Sequence, residues 1–414
     1  MECELYRSDN LLVRQSQGAD CDRWVITFDN YGLGPGFDRE GFGEAFLREH
    51  GFSAIHVLGR GDDWYQYDDI FTAAAVVRAA TSGAKWRLTY GSSMGGFAAL
   101  HLADAIGADR VLALSPQWAV DPSRAPWEIR WQQDARRIRW LRDFARPIGG
   151  TIRPVVVYDP RLPLDRRHAE QIASETPAQL VAVPYCGHPV ATFLGEVGML
   201  RPMLEAVLED RFDLSALRSE VRARRSASAV YLGTLAERQP DTRLRTAIAL
   251  GRRAAAVTPT NRLGLLSLAQ VLTRAGEHTE ALTLHHQIVA EAQRHPLYLV
   301  AFANALQKAS AHEDAIAVAQ EVVNVQPDVA HLRNWHAALL WSARARAAAV
   351  REQTEAVALD PQNRRYRNKL LRYRALHVGV RLVRLMLFRF APEPLRRREG
   401  VGPVGPSVAG ANTE

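Results

Sequence analysis

Residue types that together support nucleophilic catalysis occur in the first half of the chain. Ser93 is at the centre of GSSMG (91–95), which has the spacing G-x-S-x-G. A serine hydroxyl is a weak nucleophile at neutral pH and needs a histidine as base, which a carboxylate orients. His188 lies downstream in PYCGHP, and Asp159 and Asp165 precede it. The sequence therefore indicates a Ser-His-Asp arrangement with Ser93 as nucleophile and His188 as base.

Two aspartates compete for the role of the orienting carboxylate. Asp159 ends the apolar run RPVVVYD (153–159) and has no helix to cap. Asp165 stands directly before a predicted helix over 166–175, and it has an alternative interpretation as the N-cap of that helix. We therefore prefer Asp159 as the catalytic acid and keep Asp165 as the alternative.

Alternating strands and helices must position these residues. The apolar patterns predict strands over 23–29, 52–59, 86–91, 110–116, 153–159 and 178–185, and helices over 41–51, 68–83, 94–108, 164–175 and 190–209. This alternation is typical of an α/β fold with a mostly parallel sheet covered by helices. Ser93 would then lie on a strained strand-to-helix turn, where a β-carbon at either glycine of the motif would clash.

At this level of detail, residues 11–209 resemble the α/β-hydrolase superfamily. The resemblance depends on the GSSMG motif, on the order of serine, aspartate and histidine along the chain, and on the Gly-His pair after the final strand. It implies an oxyanion hole formed by the backbone N–H of Met94 and by a second N–H at Asn30 or Tyr31. The loop FDNYG lacks the His-Gly pair that such enzymes often have there, and YDPRLPLD departs from their common acid loop.

Aromatic residues near the predicted sheet edge are candidate substrate contacts. Trp64 and Tyr65 follow the strand over 52–59, and Trp118 begins a segment (117–152) rich in tryptophan and arginine that could form a small lid. Aromatic faces suit sugars or acyl chains, and arginines suit carboxylate or phosphate groups. The competing interpretation is ordinary core packing across the sheet.

The second half of the chain repeats every 34 residues. One series of alanines consists of Ala247, Ala281, Ala315 and Ala349, and a second consists of Ala269, Ala303 and Ala337. Small residues at this period allow two antiparallel helices to approach closely. The pattern resembles the tetratricopeptide repeat, with units near 226–261, 262–295, 296–329 and 330–363. That resemblance implies an all-α solenoid that binds a protein or peptide partner.

The positive charge of the chain is concentrated near its C-terminus. The net charge is +7, but residues 363–400 contain twelve Lys or Arg against two acids. Residues 364–391 read as a basic amphipathic helix that ends near Phe390, followed by a disordered tail over 392–414. This helix could cap the repeats, anchor the protein on an anionic membrane surface or bind nucleic acid, and the near-neutral remainder of the chain disfavours nucleic acid.

These observations divide the chain into a catalytic domain over 1–212, a linker helix over 213–225 and the repeats over 226–363. The three cysteines are too scattered for a disulfide framework or a metal site, and we expect no cofactor and no metal. No signal peptide or membrane span is evident, so a cytoplasmic protein is expected, with peripheral membrane contact through 364–398 as an option.

The expected function is that of a serine hydrolase acting on an ester or acyl substrate, with repeats that recruit a partner. One alternative is an O-acyltransferase or esterase acting on polysaccharide precursors. The other is a non-catalytic repeat scaffold with an inactive hydrolase fold.

Overall fold

A computed structural model describes residues 2–149, 153–258 and 262–389, and it describes side chains in these ranges from residue 3 to residue 378. The predicted tail over 392–414 and the end of the basic helix at Phe390 lie outside the described residues. The chain divides into two compact units, of which the first ends at Ala301 and the second begins at Phe302. The predicted domain boundary near residue 212 therefore falls within the first unit and remains a prediction.

One sheet of eight strands forms the centre of the α/β part. The strands are β1 Glu2–Arg7, β2 Leu11–Ser16, β3 Arg23–Phe28, β4 Ser53–Gly59, β5 Trp86–Ser92, β6 Arg110–Leu114, β7 Val155–Tyr158 and β8 Gln179–Ala182. Their order across the sheet is β1-β2-β4-β3-β5-β6-β7-β8. β2 pairs antiparallel with β1 and β4, and all other pairs are parallel. The prediction of an α/β fold is confirmed, but the sheet is mixed because the hairpin β1-β2, which was not predicted, adds an antiparallel edge.

Nine α-helices occur among the described residues up to Arg224. They are α1 Glu44–Glu49, α2 Ile70–Ala80, α3 Met94–His101, α4 Ala103–Ile106, α5 Gln132–Ala135, α6 Pro163–Glu175, α7 Val190–Glu196, α8 Leu200–Leu208 and α9 Leu214–Arg224. They cover both faces of the sheet, since Val25 and Ile26 of β3 belong to separate apolar clusters. Burial on both faces explains why the central strands read as continuous apolar runs.

The strand register brings the ends of the central strands to one edge of the sheet. Phe28 of β3 pairs with Gly91 of β5, Ser92 of β5 pairs with Leu114 of β6, and Leu114 pairs with Val157 of β7. Because parallel strands end on the same side, the loops after these strands meet there. Of the predicted catalytic residues, Ser93 follows β5, and Asp159 and Asp165 follow β7. His188 follows β8, whose last residue Ala182 pairs with Tyr158 of β7.

Paired helices follow the α/β part. They are α10 Ala229–Glu237, α11 Leu244–Val257, α12 Arg262–Ala275, α13 His278–Glu291, α14 Pro296–Lys308, α15 His312–Val325, α16 Ala330–Ser342, α17 Arg346–Leu359 and α18 Arg364–Arg389. All seven alanines of the 34-residue pattern are at most 1% exposed. Side chains larger than methyl would separate such closely packed helices. The predicted all-α tetratricopeptide-like repeats are confirmed.

The helix α18 begins in contact with its own compact unit. The Tyr373 ring stacks on the ring of Trp341 with centroids 3.9 Å apart, and Leu370 is buried. This packing favours the capping interpretation for the first part of α18. The membrane and nucleic-acid interpretations stay predictions, since the side chains from residue 379 onward are outside the described set. Among the described residues, no helix is both long and apolar enough to cross a membrane.

Candidate active site

Ser93 lies on the sharp turn between β5 and α3. Its backbone has φ 53° and ψ −116°, a region that non-glycine residues adopt rarely and at an energetic cost. The Ser93 N–H donates to the carbonyl oxygen of Leu114 at 2.8 Å, which ties the turn to β6. The side chain is therefore held at the sheet edge by the packing around it rather than by local backbone preference.

Both glycines of the motif are required by close backbone approaches. A β-carbon on Gly91 would lie 2.2 Å from the carbonyl oxygen of Gly95. A β-carbon on Gly95 would lie 2.2 Å from the carbonyl oxygen of Phe28, at the end of β3. Any larger residue at either position would have to displace the main chain. The same approach places the end of β3 directly against Gly95, two residues after Ser93.

The structure brings Ser93 and His188 together. Ser93 Oγ lies 3.0 Å from Nε2 of His188, although 95 residues separate the two along the chain. The His188 side chain is 19% exposed, so the imidazole can be reached from solvent. Ser93 itself is only 5% exposed.

The carboxylate that contacts His188 is Asp165. Its Oδ2 lies 2.7 Å from Nδ1 of His188, and its side chain is almost fully buried. Helix α6 begins at Pro163, three residues earlier than an N-cap role for Asp165 requires, because proline is well tolerated in the first helical turn. The N-cap interpretation is therefore wrong.

Asp159 instead shapes the loop that precedes His188. It is completely buried, and its two oxygens accept the backbone N–H groups of Arg161 at 2.8 Å and Gly187 at 3.0 Å. No hydrogen bond joins it to His188 in the described structure. The preference for Asp159 over Asp165 is thus corrected, since a carboxylate that already accepts two main-chain donors anchors the loop and does not orient the ring.

A partly exposed arginine, whose side chain is 26% exposed, contacts the other oxygen of Asp165. Arg130 Nη1 lies 2.6 Å from Asp165 Oδ1, and the same guanidinium binds Glu128. Burial acts to raise the pKa of Asp165, but the hydrogen bonds and charges of His188 and Arg130 outweigh it and hold that pKa below its ordinary value. Asp165 is consequently ionised at neutral pH.

Glu128 connects this arginine to a second histidine, His168, which is completely buried. His168 Nε2 lies 2.8 Å from Glu128 Oε2, and His168 Nδ1 accepts the backbone N–H of Trp118 at 3.0 Å. Burial would raise the pKa of Glu128, yet the hydrogen bonds from His168 and Arg130 lower it to about 2. Sequence reasoning missed Glu128, Arg130 and His168, and only the concentration of Trp and Arg in the segment 117–152 pointed to that region.

A buried glutamine on the same segment contacts Ser93. Gln117 is completely buried, and its Nε2 donates to Ser93 Oγ at 2.9 Å. Its Oε1 accepts from Nε1 of Trp64 at 3.1 Å. No motif identified Gln117, but it follows β6 by three residues, at the sheet edge where such contacts are expected.

The predicted oxyanion donors lie at the start of α3 and in the loop after β3. The backbone N–H groups of Met94, Asn30 and Tyr31 donate to no protein acceptor among the described residues. The Asn30 side chain donates to the carbonyl oxygen of Tyr31 at 3.2 Å, and the Tyr31 hydroxyl donates to Asp134 Oδ2 at 2.9 Å. Main-chain donors therefore remain open in the loop that approaches Gly95.

The three predicted substrate-binding aromatics are buried. Tyr65 is 1% exposed, and its hydroxyl donates to the carbonyl oxygen of Val57 at 2.8 Å. Trp118 is 9% exposed and packs beneath the Arg124 guanidinium. Both side chains belong to the apolar core, and a substrate-binding role for them stays a prediction.

Trp64 is completely buried in the same core cluster, but its ring has a neighbour that contacts the site. Its ring lies 5.6 Å from the ring of Trp131, and the Trp131 ring lies 6.0 Å from that of His188. Trp64 therefore lies next to Trp131, and Trp131 is the aromatic side chain beside His188.

Comparisons with known proteins bear mainly on the repeats. Residues 241–322 match the family model described as anaphase-promoting complex, cyclosome, subunit 3. No curated protein matches the chain. The tetratricopeptide-like character of this region is consistent with that match, which covers less than half of the chain.

Solved structures show low similarity. The capsule O-acetyltransferase of Neisseria meningitidis serogroup A is 12% identical, with a TM-score of 0.36 over 50% of this chain and 93% of that one. A thermophilic TPR protein of Thermus thermophilus is 17% identical, with a TM-score of 0.33 over 42% and 96% of the two chains. MamA from Desulfovibrio magneticus RS-1 is 16% identical, with a TM-score of 0.31 over 42% and 97%.

Proposed function

We propose that the α/β part is a serine hydrolase of the α/β-hydrolase type, with Ser93, His188 and Asp165 as its catalytic triad. One observation carries the proposal, namely the continuous line of contacts from Ser93 Oγ to His188 at 3.0 Å and from His188 to Asp165 at 2.7 Å. The strained backbone of Ser93 and the two obligatory glycines support it.

In the first step, Ser93 attacks the carbonyl carbon of an ester or acyl donor. As the Oγ–C bond forms, the hydroxyl proton passes to His188 Nε2, and the π electrons of the carbonyl move to its oxygen. The N–H of Met94 and one from Asn30 or Tyr31 would stabilise that oxyanion. When the oxyanion collapses, the bond to the leaving oxygen breaks, and this oxygen takes the proton from His188.

In the second step, an acceptor removes the acyl group from Ser93. His188 takes a proton from the attacking water or hydroxyl and returns it to Oγ as the ester bond to Ser93 breaks. Water gives hydrolysis, and a hydroxyl of another molecule, such as a saccharide, gives O-acyl transfer. The partly buried Trp131 ring beside His188 is the aromatic face that a sugar acceptor would meet. An assay with and without a saccharide acceptor distinguishes hydrolysis from O-acyl transfer. Hydrolysis releases the free acid, whereas transfer forms a new ester on the saccharide.

The repeats supply the second part of the proposal. Helix pairs of the tetratricopeptide type typically bind proteins or peptides, so we assign the recruitment of a protein partner to α10–α17. Under the scaffold alternative, this would be the only activity of the chain.

Labelling with an active-site fluorophosphonate tests the catalytic proposal. The wild-type protein should label stoichiometrically, and Ser93→Ala should abolish labelling. The matched control is Ser92→Ala, because Ser92 is the neighbouring serine, is also buried and makes no side-chain hydrogen bond in the described structure. This variant should still label. An unlabelled wild type, or equal labelling of Ser93→Ala, would favour the scaffold alternative.

A further inference from the structure

Gln117 and Trp64 form a buried pair behind the nucleophile that neither a motif nor a resemblance identifies as a unit. Both side chains are completely buried, and the Gln117 amide is bonded at both of its ends. It accepts from the Trp64 indole at 3.1 Å and donates to Ser93 Oγ at 2.9 Å. The amide thus connects a core aromatic residue to the reacting oxygen.

The chemistry of the indole determines the direction of each hydrogen bond from Trp64 through Gln117 to Ser93. An indole N–H can only donate, so the oxygen of the Gln117 amide must face Trp64. The amide nitrogen must then face Ser93, and a nitrogen of this kind can only donate. Ser93 Oγ therefore receives one hydrogen bond from Gln117, and its own proton is directed to His188.

The same logic sets the tautomer of the base. His188 Nε2 has to accept the Ser93 proton, so at neutral charge Nδ1 must hold the ring proton and donate to the Asp165 carboxylate. This is the tautomer that can act as a general base. The arrangement at Ser93 therefore depends on the Trp64 indole, whose N–H is connected to His188 by hydrogen bonds through Gln117 and Ser93.

We infer that Gln117 is a further catalytic residue of this site, and that Trp64 is the positioning residue that orients its amide. The inference rests on the proposed function. When the proton leaves Ser93, negative charge develops on Oγ, and the Gln117 N–H strengthens its hydrogen bond to that oxygen. The same contact stabilises Oγ when it is the leaving group of the acyl-enzyme.

An isosteric substitution tests the donor role of Gln117. In Gln117→Glu, the ionised carboxylate can only accept, so the Ser93 hydroxyl would donate to it rather than to His188. We expect kcat/KM for an acetyl ester to fall by about 100-fold or more at pH 8. Because a protonated carboxyl can donate again, the ratio of variant to wild-type activity should rise as the pH is lowered. A merely structural role would give a ratio that does not change with pH.

Truncation gives the size of the contact without a new charge. Loss of a hydrogen bond to a charged group corresponds to a decrease of roughly 10- to 100-fold, which is expected for Gln117→Ala in both kcat/KM and the rate of fluorophosphonate labelling. Full-length protein is used throughout.

A double-mutant cycle tests the positioning role of Trp64. Trp64→Phe keeps an aromatic ring but removes the N–H, which frees the amide to turn over, and the rate should fall about 2- to 10-fold. In the Gln117→Ala background the same change should alter the rate by less than about twofold, because no amide remains to be oriented. Trp24→Phe is the matched control, since it removes another buried indole donor, which is bonded to Cys21 O at 2.9 Å, and should leave the rate unchanged.

The outcomes separate this inference from the proposed function. If wild-type protein does not label at Ser93, both are wrong. If wild type labels but Gln117→Ala and Gln117→Glu label at its rate, the triad stands and Gln117 has no catalytic role. Equal effects of Trp64→Phe with and without Gln117 would refute the positioning role.

Discussion

Replacement of Asp165 by asparagine should nearly abolish activity while leaving the fold intact. The two oxygens of Asp165 accept from His188 Nδ1 at 2.7 Å and from Arg130 Nη1 at 2.6 Å. Asparagine is isosteric but has only one acceptor oxygen. Arg130 can only donate and is charged, so the amide oxygen should face it. The amide nitrogen then faces His188.

The magnitude follows from the tautomer that this arrangement imposes. An amide N–H directed at Nδ1 makes that nitrogen the acceptor and places the ring proton on Nε2, where it blocks transfer of the Ser93 proton. Loss of the correct tautomer in a triad lowers kcat by about 10³- to 10⁴-fold. This corresponds to roughly 4–5 kcal/mol of lost transition-state stabilisation. We expect Asp165→Asn to fall in this range.

The matched control is Asp159→Asn. Asparagine has one acceptor oxygen, so only one of the two N–H groups of Arg161 and Gly187 keeps its hydrogen bond. The N–H group that is left unsatisfied should cost about 1–3 kcal/mol of stability. Activity should fall less than about tenfold, because the loop before His188 is loosened but the ring keeps its carboxylate.

Steady-state hydrolysis of an acetyl ester by both variants provides the assay, with thermal unfolding as a check on folding. A larger loss of kcat in Asp159→Asn than in Asp165→Asn would refute the assignment. So would Asp165→Asn activity within tenfold of wild type in a folded protein, since the tautomer argument would then have no consequence.

Further predictions concern other packed or charged positions. Gly95→Ala should destabilise the α/β part by more than about 3 kcal/mol in denaturant unfolding, because its β-carbon would lie 2.2 Å from a main-chain oxygen of β3. Arg130→Met should raise the pKa of Asp165, because a cation bonded to its carboxylate is removed, and an NMR titration of the Asp165 carboxyl in wild type and variant measures the rise. Ala315→Leu, at a position only 1% exposed, should cost about 1–3 kcal/mol in urea unfolding. Burial lowers the pKa of Lys369 to about 8. Below that pH the folded protein therefore carries the ammonium charge in a partly buried site, which lowers its stability. Relative to wild type, the melting temperature of Lys369→Met should therefore be highest near pH 7 and decline towards pH 10, as the amine of the unfolded chain also loses its proton.

Two of these predictions have a matched control variant, and the other two have a result that would contradict them. Gly83→Ala adds a β-carbon with nothing within 4 Å, and Ala317→Leu changes an exposed position of the same helix as Ala315, so neither should destabilise the protein. An unchanged pKa of Asp165 in Arg130→Met would contradict the charge argument. For Lys369, a melting-temperature difference between variant and wild type that stays constant from pH 7 to pH 10 would contradict the lowered pKa.

Local sequence rules accounted for the features that depend on short spacings. GSSMG specified a turn that tolerates no β-carbon on either side of the nucleophile, and the apolar runs identified the six strands β3–β8. The 34-residue alanine period identified the helix pairs, because each methyl position is repeated at the same close approach. By contrast, β1 and β2 were missed, since a hairpin at the edge of the sheet shows a weaker apolar pattern.

The sequence by itself determined the alternation of the six strands β3–β8 with helices, and it supplied the candidate nucleophile and the candidate base. It left two aspartates for one role, and local reasoning preferred Asp159 because Asp165 resembled a helix cap. Only the tertiary structure decided that Asp165 meets His188, that Asp159 anchors a loop, and that Gln117 lies against Ser93. The physical reason is that a turn or a helical period is a property of neighbours along the chain. Which carboxylate or amide reaches a given atom depends on the register of parallel strands and on the path of the loops that connect them.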